Sequence, residues 1–250
     1  MADAAVLTLP AAASDFSIGR VFNRTFTVLT RHFLTFSLIM AVATAPAVAL
    51  MGLSGNDARM SPRTILLMFG SLFLMGVLGI FAQAVVVHGS FQEMRHRRVD
   101  LAESLKVGLS RFLPVLGLAL LVMLGAWLGL LLFVIPGLIL LTRWYIAVPA
   151  CVVERVGVRA SMKRSAQLTK GHRWKVFGAM ILLWIAASIA NQVVTTSFAV
   201  MGGQMFGLVG TLIIQSITGA FSAIFVVVTY YELRVAKEGV DIDQIASVFD

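Results

Sequence analysis

The fold is decided by residues 115–153, which read VLGLALLVMLGAWLGLLLFVIPGLILLTRWYIAVPACVV. Arg143 is the only charged residue in this stretch, and Ile135-Pro136-Gly137 divides it. A helix crosses a hydrocarbon core of about 30 Å with roughly 20 apolar residues, so the stretch is long enough for two crossings. Proline lacks an amide hydrogen and glycine tolerates positive φ, so we expect a tight hairpin turn at Pro136-Gly137.

The rest of the chain has the same character. Of its 250 residues, 59% are hydrophobic and 13% are charged, which is too apolar for a soluble domain of this size. We predict six transmembrane helices, at about Phe33 to Leu53, Ile65 to His88, Val115 to Val134, Gly137 to Val153, Val176 to Phe198 and Leu208 to Tyr231. The net charge of +8 lies beside these spans, which favours anionic lipid headgroups over nucleic acid as partners.

Basic residues are concentrated in alternate connections between the spans. They precede the first span and lie between the second and third and between the fourth and fifth, whereas the opposite connections carry only Arg59 and Arg63. Cytoplasmic loops carry the excess of lysine and arginine, so we expect both termini in the cytoplasm. An even number of spans is required by this alternation.

Similar segments precede the first, third and fifth spans, which predicts a repeated unit. We therefore expect an all-α integral membrane protein whose six transmembrane helices form three helical hairpins, each preceded by a cytoplasmic interfacial amphipathic helix. The units cover about 16–98, 99–155 and 156–238, and together they form one membrane domain, 16–238. Residues 1–15 and 239–250 are expected to be cytoplasmic tails.

The first and third of these segments share the register of their charges. Arg20, Arg24 and Arg31 match Arg159, Lys163 and Lys170, and spacings of four and seven place each set on one helical face. The opposite face of the first segment is mostly apolar, with Ile18, Phe22, Thr25 and Leu29. This pattern is typical of a helix lying in the membrane interface.

We predict that the basic segments contact anionic lipid, each basic residue contributing about 1 kcal/mol near the surface. The predicted contact residues are Arg20, Arg24, Arg31, Arg159, Lys163, Arg164, Lys170, Arg173 and Lys175, with Trp174 as an interfacial anchor. The alternative is that these charges only hold the loops on the cytoplasmic side.

A glutamate stands at the cytoplasmic end of each even-numbered span: Glu93, Glu154 and Glu232. We expect these carboxylates to pair with the basic interfacial helices and to hold those helices against the spans. The alternative is a shared proton or cation site, which would require the three spans to converge.

Arg143 is the charge that is most costly to bury in a membrane. It lies about 9 Å from the periplasmic end of its predicted span, and charges at such depth are often functional. One interpretation is an anion or substrate contact in an internal polar cavity, as in a small transporter. The alternative is a structural arginine that snorkels to the surface beside Trp144 and Tyr145.

Other polar residues suggest packing rather than chemistry. Gln83, Asn191, Gln192 and Gln215 are predicted to make interhelical hydrogen bonds, and Gly125 and Gly129 form a GxxxG pattern that favours close helix packing. The single cysteine, Cys151, is expected to be an inert buried thiol. With no HExxH spacing and no GxSxG elbow in the sequence, we expect no catalytic residue, no metal site and no cofactor.

Two stretches resemble a known family. Ile135-Pro136-Gly137, Arg143-Trp144, Val148-Pro149, Val153-Glu154 and residues 165–174 (SAQLTKGHRW) are similar to the membrane domain attached to some bacterial glycerophosphodiester phosphodiesterases. Residues 230–234 (YYELR) and 237–241 (KEGVD) resemble the close of that group and of related YciC-like inner-membrane proteins. The phosphodiesterase chemistry of that family belongs to a separate soluble barrel domain, so the resemblance implies a membrane module in the bacterial inner membrane.

The sequence thus predicts a non-enzymatic, polytopic inner-membrane protein that contacts anionic lipids through basic interfacial helices. Its expected role is membrane organisation or support of a partner protein, and a homo-oligomer is left open. A small transporter with Arg143 in a polar cavity is the first alternative. A lipid-headgroup enzyme using Glu93, His88 and His96 is the second.

Overall fold

The computed structural model describes residues 16–53, 61–95, 99–132 and 134–239. Over these ranges the protein is all helical and contains no strand. The described helices are α1 (Ile18–Arg31), α2 (Phe33–Leu53), α3 (Pro62–Met94), α4 (Leu101–Leu132), α5 (Val134–Trp144), α6 (Ala147–Val153), α7 (Val158–Thr169) and α8 (Arg173–Glu238). The predicted N-terminal tail, and the predicted C-terminal tail beyond Gly239, lie outside the described residues.

Long apolar helices make up most of the described chain. Five segments are long and apolar enough to cross a membrane: Phe33–Leu53, Pro62–Met94, Leu101–Leu131, Ile135–Val153 and Arg173–Glu238. The fourth of these comprises α5 and α6, and the fifth is the whole of α8. The described helices therefore support the prediction that the chain is a membrane protein.

Helix α8 is a hairpin rather than one rod. Its backbone bends sharply at Gly202 and Gly203, and Gly203 has φ 73° and ψ −161°, a conformation open essentially only to glycine. The two arms run side by side. The hydroxyl oxygen of Thr195, before the bend, lies 3.2 Å from that of Thr211, after the bend. The bend falls between the predicted fifth and sixth spans.

The turn between α4 and α5 differs from the sequence prediction. Pro136 and Gly137 lie inside the first turn of α5, which begins at Val134, so they are helical rather than the turn itself. Proline suits a helix start because its missing amide would have no partner there. Gly137 instead permits close packing: a Cβ on Gly129 would lie 2.9 Å from the Gly137 Cα. The predicted role of the GxxxG pattern in close packing is confirmed at this position.

The segment after α5 is not one continuous helix. The chain leaves helical geometry at Tyr145 and Ile146, and α6 begins at Ala147. A break of this kind frees backbone carbonyls, which need other donors in an apolar setting. Helix α7 supplies them, since Ser165 Oγ donates to the carbonyl of Arg143 at 2.8 Å and Thr169 Oγ1 lies 3.5 Å from the same oxygen.

The predicted amphipathic helices exist separately in two of the three units. Helix α1 is separated from α2 at His32, and α7 is separated from α8 at Gly171, which has φ 91°. The middle amphipathic segment is continuous with its span in α4. The prediction of a separate helix there is wrong, because Arg111 and Phe112 occupy the equivalent place and neither interrupts a helix.

The C-terminal arm of α8 is the centre of the molecule. Residues 223–233 are buried without interruption, including Phe225 and Tyr230. Helices α1, α2, α3 and α6 all contact α8. The face of α1 that packs on this centre is formed by Val21, Thr25, Val28 and Leu29, with Ile18 and Phe22 partly buried beside them. The amphipathic face predicted for α1 is thus turned towards protein as well as being apolar.

Candidate functional site

The buried end of α8 carries a carboxylate that meets two arginines of α1. Glu232 is only 6% exposed. Arg24 Nη1 donates to Glu232 Oε1 at 2.9 Å, and Arg20 Nε lies 3.4 Å from Oε2. The Arg24 guanidinium also lies 4.5 Å from the centre of the Tyr231 ring, within the range of a cation–π contact. Arg20 and Arg24 are one helical turn apart, so both reach the same carboxylate and fix α1 against α8.

A second carboxylate meets the C-terminal end of α1. Arg31 Nη1 donates to Glu93 Oε1 at 3.2 Å, and His32 Nε2 lies 2.9 Å from Glu93 Oε2. Glu93 is in the last turn of α3, so this contact joins α3 to the junction of α1 and α2. The Glu93 side chain is 14% exposed, whereas that of Arg31 is 61% exposed.

A third cluster joins α6, α7 and α8 through Arg164. Its Nε donates to Glu154 Oε1 at 2.7 Å, and its Nη1 donates to Glu238 Oε1 at 2.5 Å. The hydrogen bond that Arg164 donates to Glu238 is the main cause of a raised pKa for Arg164. Tyr230 donates its hydroxyl to Glu154 at 2.6 Å, and Arg234 donates to Glu238 at 3.0 Å. Together these five residues form the Arg164 network.

The three predicted interfacial glutamates therefore lie in separate places, each paired with cations. Their pairing follows the sequence interpretation that carboxylates hold the amphipathic helices against the bundle. The structure does not bring Glu93, Glu154 and Glu232 into a common acidic site. Ion pairs of this kind position helices without requiring a reaction.

Seven of the nine predicted lipid-contact residues fall into two groups. Arg20, Arg24, Arg31 and Arg164 are engaged with glutamates. Arg159, Lys163 and Lys170 are exposed, and none of their side chains forms a hydrogen bond or ion pair with a described residue. Arg159 and Lys163 are one turn apart on α7, and Lys170 is the residue directly after this helix; we call these three residues the α7 cationic face. Lys175 donates to the carbonyl of Phe16 at 3.3 Å.

Arg173 stands apart from both groups. It begins α8, and its Nε is buried without a hydrogen-bond partner among the described residues. Beside it is an apolar groove of about 310 Å³ between α5 and the start of α8. The groove is lined by Ile135, Leu138, Ile139, Thr142, Arg173, Trp174 and Phe177, and Trp174 is 85% exposed. Trp174 is therefore free to act as the interfacial anchor that was predicted.

Arg143 has an exposed side chain at the C-terminal end of α5. It lines neither the groove beside Arg173 nor the polar cleft described next. Its neighbour Trp144 packs closely against Gly125 of α4. The transporter hypothesis requires polar side chains from several spans to converge on Arg143, and those side chains converge elsewhere.

Polar side chains do converge in a cleft of about 610 Å³ between α2, α3 and the two arms of α8. We call this the polar cleft. Its polar lining consists of Thr44, Gln83, Ser188, Asn191, Gln215, Thr218 and Ser222. The apolar and glycine positions of the lining are Met40 on α2, Met75 and Gly79 on α3, and Trp184, Ala187, Gly219 and Ala223 on α8. The sequence shows that amide side chains occur within the apolar spans. It does not show which helix faces pack together to form the cleft.

The predicted hydrogen bonds of the four amides are only partly present. Asn191 Nδ2 donates across the arms of α8 to Thr218 Oγ1 at 3.3 Å. Gln192 donates to Thr196 on its own helix, so its bond is not interhelical. Gln215 Oε1 is buried without a partner among the described residues, and Gln83 makes no hydrogen bond with them. The interhelical prediction is therefore wrong for Gln192, and among the described residues no interhelical side-chain bond of Gln83 or Gln215 is present.

The remaining chemically reactive side chains are dispersed. Across the described ranges, no group of three or more His, Cys, Asp or Glu residues is placed to hold a metal ion. His88 Nδ1 lies 3.3 Å from Ser104 Oγ, while Glu93 is engaged with Arg31 and His32. His96, the third residue of the headgroup-enzyme alternative, lies outside the described residues. Cys151 is buried, with Sγ 3.6 Å from the Val156 carbonyl.

Comparison with known proteins finds a family model that is similar to part of the chain. The model of the family described as "Membrane domain of glycerophosphoryl diester phosphodiesterase" matches residues 116–238, from within α4 to the end of α8. No curated protein and no solved structure matches the chain. The matched segment contains the α4–α5 hairpin, the Arg164 network and both arms of α8.

Proposed function

We propose that this chain is a non-enzymatic, six-span protein of the bacterial inner membrane, and the match of residues 116–238 to the model for the membrane domain of glycerophosphoryl diester phosphodiesterase supports a membrane module. In this proposal it contacts anionic lipids on the cytoplasmic side through the α7 cationic face. Its role is to organise the surrounding lipid or to support a partner protein at that surface.

The length of α8 supports the proposed six-span arrangement. A helix of 66 residues would be about 100 Å long at 1.5 Å per residue, far more than a hydrocarbon core of about 30 Å. The bend at Gly203 and the contacts between the arms support two crossings rather than one. With one crossing for each of the other four segments, the total is six and both termini lie on one side.

The orientation follows from the charges. The α7 cationic face and the cations of α1 belong to connections on the same side of a six-span chain, and cytoplasmic connections are enriched in such residues. Arg63, at the start of α3, belongs to the opposite side. The proposal therefore places α1, α7 and both termini in the cytoplasm.

The α7 cationic face is the observation that carries the lipid-binding proposal. Its three cations are exposed and are not neutralised by the described carboxylates, whereas the neighbouring Arg164 pairs with Glu154 and Glu238. Basic residues near an anionic membrane surface contribute about 1 kcal/mol each, which is about a fivefold change in affinity. Arg164 holds the helix in place, so the exposed cations are presented on a fixed support.

The non-enzymatic part of the proposal rests on how the acidic residues are used. Glu93, Glu154 and Glu232 each accept hydrogen bonds from cations or from Tyr230. A general base needs a free carboxylate directed at a substrate. In this arrangement the carboxylates serve to join helices.

Lipid selectivity in detergent tests the proposal. Native mass spectrometry measures how many phosphatidylglycerol and phosphatidylcholine molecules the purified full chain retains. We expect a preference for phosphatidylglycerol that falls about fivefold in Lys163→Gln and more than tenfold when Arg159, Lys163 and Lys170 are all changed to Gln. Arg63→Gln also removes one positive charge, but at the start of α3, on the other side of the membrane in this proposal. It is expected to leave the preference for phosphatidylglycerol unchanged.

The same variants separate lipid contact from topology. Reporter fusions at the C-terminus should remain cytoplasmic in the triple variant, because Arg164, Arg173 and Lys175 still flank the same connection. An unchanged preference for phosphatidylglycerol in the correctly oriented triple variant would refute the lipid-contact proposal. The charges would then serve orientation alone.

A further inference from the structure

The first arm of α8, residues 173–201, has a wide face that the rest of the described chain leaves uncovered. A row of exposed residues runs along the middle of this face: Leu182, Ile185, Ile189, Gln192 and Thr196. We call this row the α8 seam. Exposed apolar residues are ordinary on a helix that faces lipid, whereas the amide of Gln192 at the middle of such a face needs an explanation.

The α8 seam has the spacing of a helix–helix contact. Its members are alternately three and four positions apart, which is the heptad pattern of two helices that wind around each other with a left-handed crossing. Transmembrane helices commonly pack in this way, at about 20° to one another. Val176, Ala179 and Leu183 of the same arm are buried and lie on the opposite side of the helix. The arm therefore packs within the chain through one side and leaves the heptad row for a further helix.

Gln192 lies at the level of the hydrocarbon in the proposed six-span arrangement, on which this inference rests. It is ten residues before the bend at Gly202, or about 15 Å along the helix at 1.5 Å per residue. Ile189, one turn before it, is 60% exposed, and Val200, two turns after it, is 82% exposed. Apolar surface thus continues on both sides of the amide, which places it among lipid chains rather than beside a polar loop.

The Gln192 amide is satisfied only in part by its own helix. Its Nε2 donates to Thr196 Oγ1 at 3.1 Å. A glutamine amide has two N–H donors and an accepting oxygen, so its second N–H and its Oε1 have no partner among the described residues. The side chain is exposed, so a neighbouring helix can reach these groups. Lipid chains offer neither a donor nor an acceptor, which makes an uncovered amide unfavourable there.

A second copy of the chain supplies both missing partners with one residue. Two copies inserted in the same orientation are related by a two-fold axis along the membrane normal, and each residue of a parallel heptad row then lies opposite itself. Each Gln192 donates its remaining N–H to Oε1 of the other copy and accepts a bond in return. The amide is uncharged, so this pairing buries no ion in the bilayer.

The residues beside the α8 seam are small enough for two helices to approach. Ala186 and Val193 flank the row on one side, and Ser188 and Thr195 flank it on the other. Small residues at such positions are typical of packed transmembrane helices, because they let the two backbones come close. Short interhelical hydrogen bonds between amides are therefore compatible with the packing of the flanking residues.

We propose that the α8 seam is the interface of a parallel homodimer, in which Leu182, Ile185 and Ile189 pack against their counterparts. The two Gln192 amides form reciprocal hydrogen bonds at the two-fold axis and set the register of the pair. The α7 cationic face takes no part in this contact. Dimerisation therefore requires no anionic lipid.

Cysteine crosslinking in native membranes tests the interface. Oxidation by copper phenanthroline is expected to join two copies of Ile185→Cys, and two copies of Ile189→Cys, into a product of twice the mass of the chain. Phe69→Cys on α3 is the control, because Phe69 is also exposed but lies outside the seam. Cys151 is buried, and the unchanged chain, in which it is the only cysteine, serves as the blank.

Each other result of the crosslinking contradicts the proposal. Equal yields at Phe69→Cys and at the seam positions would show random collision in the membrane. Absence of the product at both seam positions would show that the row is not paired. A product whose added mass differs from that of the chain would assign the seam to another protein.

The role of the amide is measured by energy transfer between donor-labelled and acceptor-labelled copies in phosphatidylcholine vesicles. The signal at increasing lipid-to-protein ratio gives the dissociation constant of the dimer. Gln192→Leu should raise this constant about fivefold to tenfold, as for the loss of two intramembrane hydrogen bonds. Gln204→Leu removes an exposed amide near the bend and outside the seam, and it should leave the constant unchanged. Equal constants in Gln192→Leu and the unchanged chain would contradict the proposed pairing.

A conservative variant separates pairing from a change in helix surface. Gln192→Asn retains both the donor and the acceptor of an amide, so it should dimerise more tightly than Gln192→Leu. Gln192 is exposed, so neither variant removes a buried group, and both are expected to fold. Weaker dimerisation of Gln192→Asn than of Gln192→Leu would refute the reciprocal bonds.

A last measurement distinguishes failure of the dimer from failure of the membrane placement. Thr196→Cys should not react with a water-soluble maleimide in intact membranes, because the seam lies within the bilayer. Reaction would refute the proposed crossing by this arm, and with it the six-span arrangement and the dimer. A monomeric chain with an unreactive Thr196→Cys would refute the dimer alone.

Discussion

Arg24 Nη1 lies 2.9 Å from Glu232 Oε1, and this contact joins the first described helix to the end of the last across 208 positions of sequence. The carboxylate is buried, whereas the Arg24 side chain is about half exposed. Loss of the arginine leaves Glu232 with Arg20 at 3.4 Å as its remaining cation. Loss of the ion pair is therefore expected to cost more free energy at the buried Glu232 carboxylate than at the Arg24 guanidinium.

We predict that Arg24→Ala lowers the free energy of unfolding by about 1–3 kcal/mol, the usual cost of leaving a buried polar group short of a partner. Thermal unfolding of the detergent-solubilised chain measures this change. Arg63→Ala removes an exposed arginine with no partner among the described residues and should shift the midpoint little. Equal shifts in the two variants would show that the pair does not stabilise the fold.

We predict that Arg164→Lys loosens α7 although it retains the charge. A guanidinium reaches Glu154 and Glu238 with separate nitrogens, whereas a lysine has one ammonium group and cannot reproduce the fork. Hydrogen exchange followed by mass spectrometry should show faster exchange over Val158–Thr169. Lys163→Arg, at the neighbouring exposed position, is the control and should leave exchange in α7 as in the unchanged chain.

We predict that Gly129→Ala destabilises the α4–α5 hairpin. Its Cβ would lie 2.9 Å from the backbone of Gly137, so the two helices must separate. Overpacking of this kind costs typically about 1–3 kcal/mol. Gly76→Ala is the matched control, because no heavy atom lies within 4 Å of the added Cβ there, and it should maintain or raise the melting temperature.

We predict that Gly203→Ala strains the bend of α8. A side chain at φ 73° and ψ −161° costs of order 1–3 kcal/mol. Gly178→Ala lies in the straight part of the same helix, where the added Cβ would be 3.9 Å from Ile18 Cδ1. This substitution should raise the free energy of unfolding instead of lowering it. Comparable thermal midpoints for the two variants would argue that the arms of α8 do not require this bend.

The positions of the long helices were accessible from sequence because apolar length is a local property. The sequence also predicted the ion pairs at the ends of the spans. Glu93, Glu154 and Glu232 were expected to pair with basic amphipathic helices, and each does. Both features depend on residue type and spacing alone. Neither requires knowledge of which helices are neighbours.

The sequence did not predict which individual cations form ion pairs and which are exposed. Arg164 and Lys163 are adjacent in sequence and equal in charge, yet one bridges two glutamates and the other is exposed. The difference arises from the rotation of α7 about its axis, which tertiary packing sets. Glu238, which accepts from Arg164, was not predicted to belong to this cluster at all.

The polar cleft depends even more on long-range geometry. Its amides come from α3 and from both arms of α8, so no single stretch of sequence contains them. The turn before α5 was predicted at the wrong residues for a local reason, because proline and glycine serve helix starts and close packing as well as turns. Distinguishing these uses required the partner helix.

The uninterrupted burial of residues 223–233 has a consequence for how the protein is made. Helices α1, α2 and α3 emerge from the ribosome long before this segment, yet their inner faces pack against it. During synthesis those faces must be covered by lipid or by the insertion machinery until the last arm enters between them. The inner faces of α1, α2 and α3 thus become buried in protein only after residues 223–233 have been synthesised and inserted.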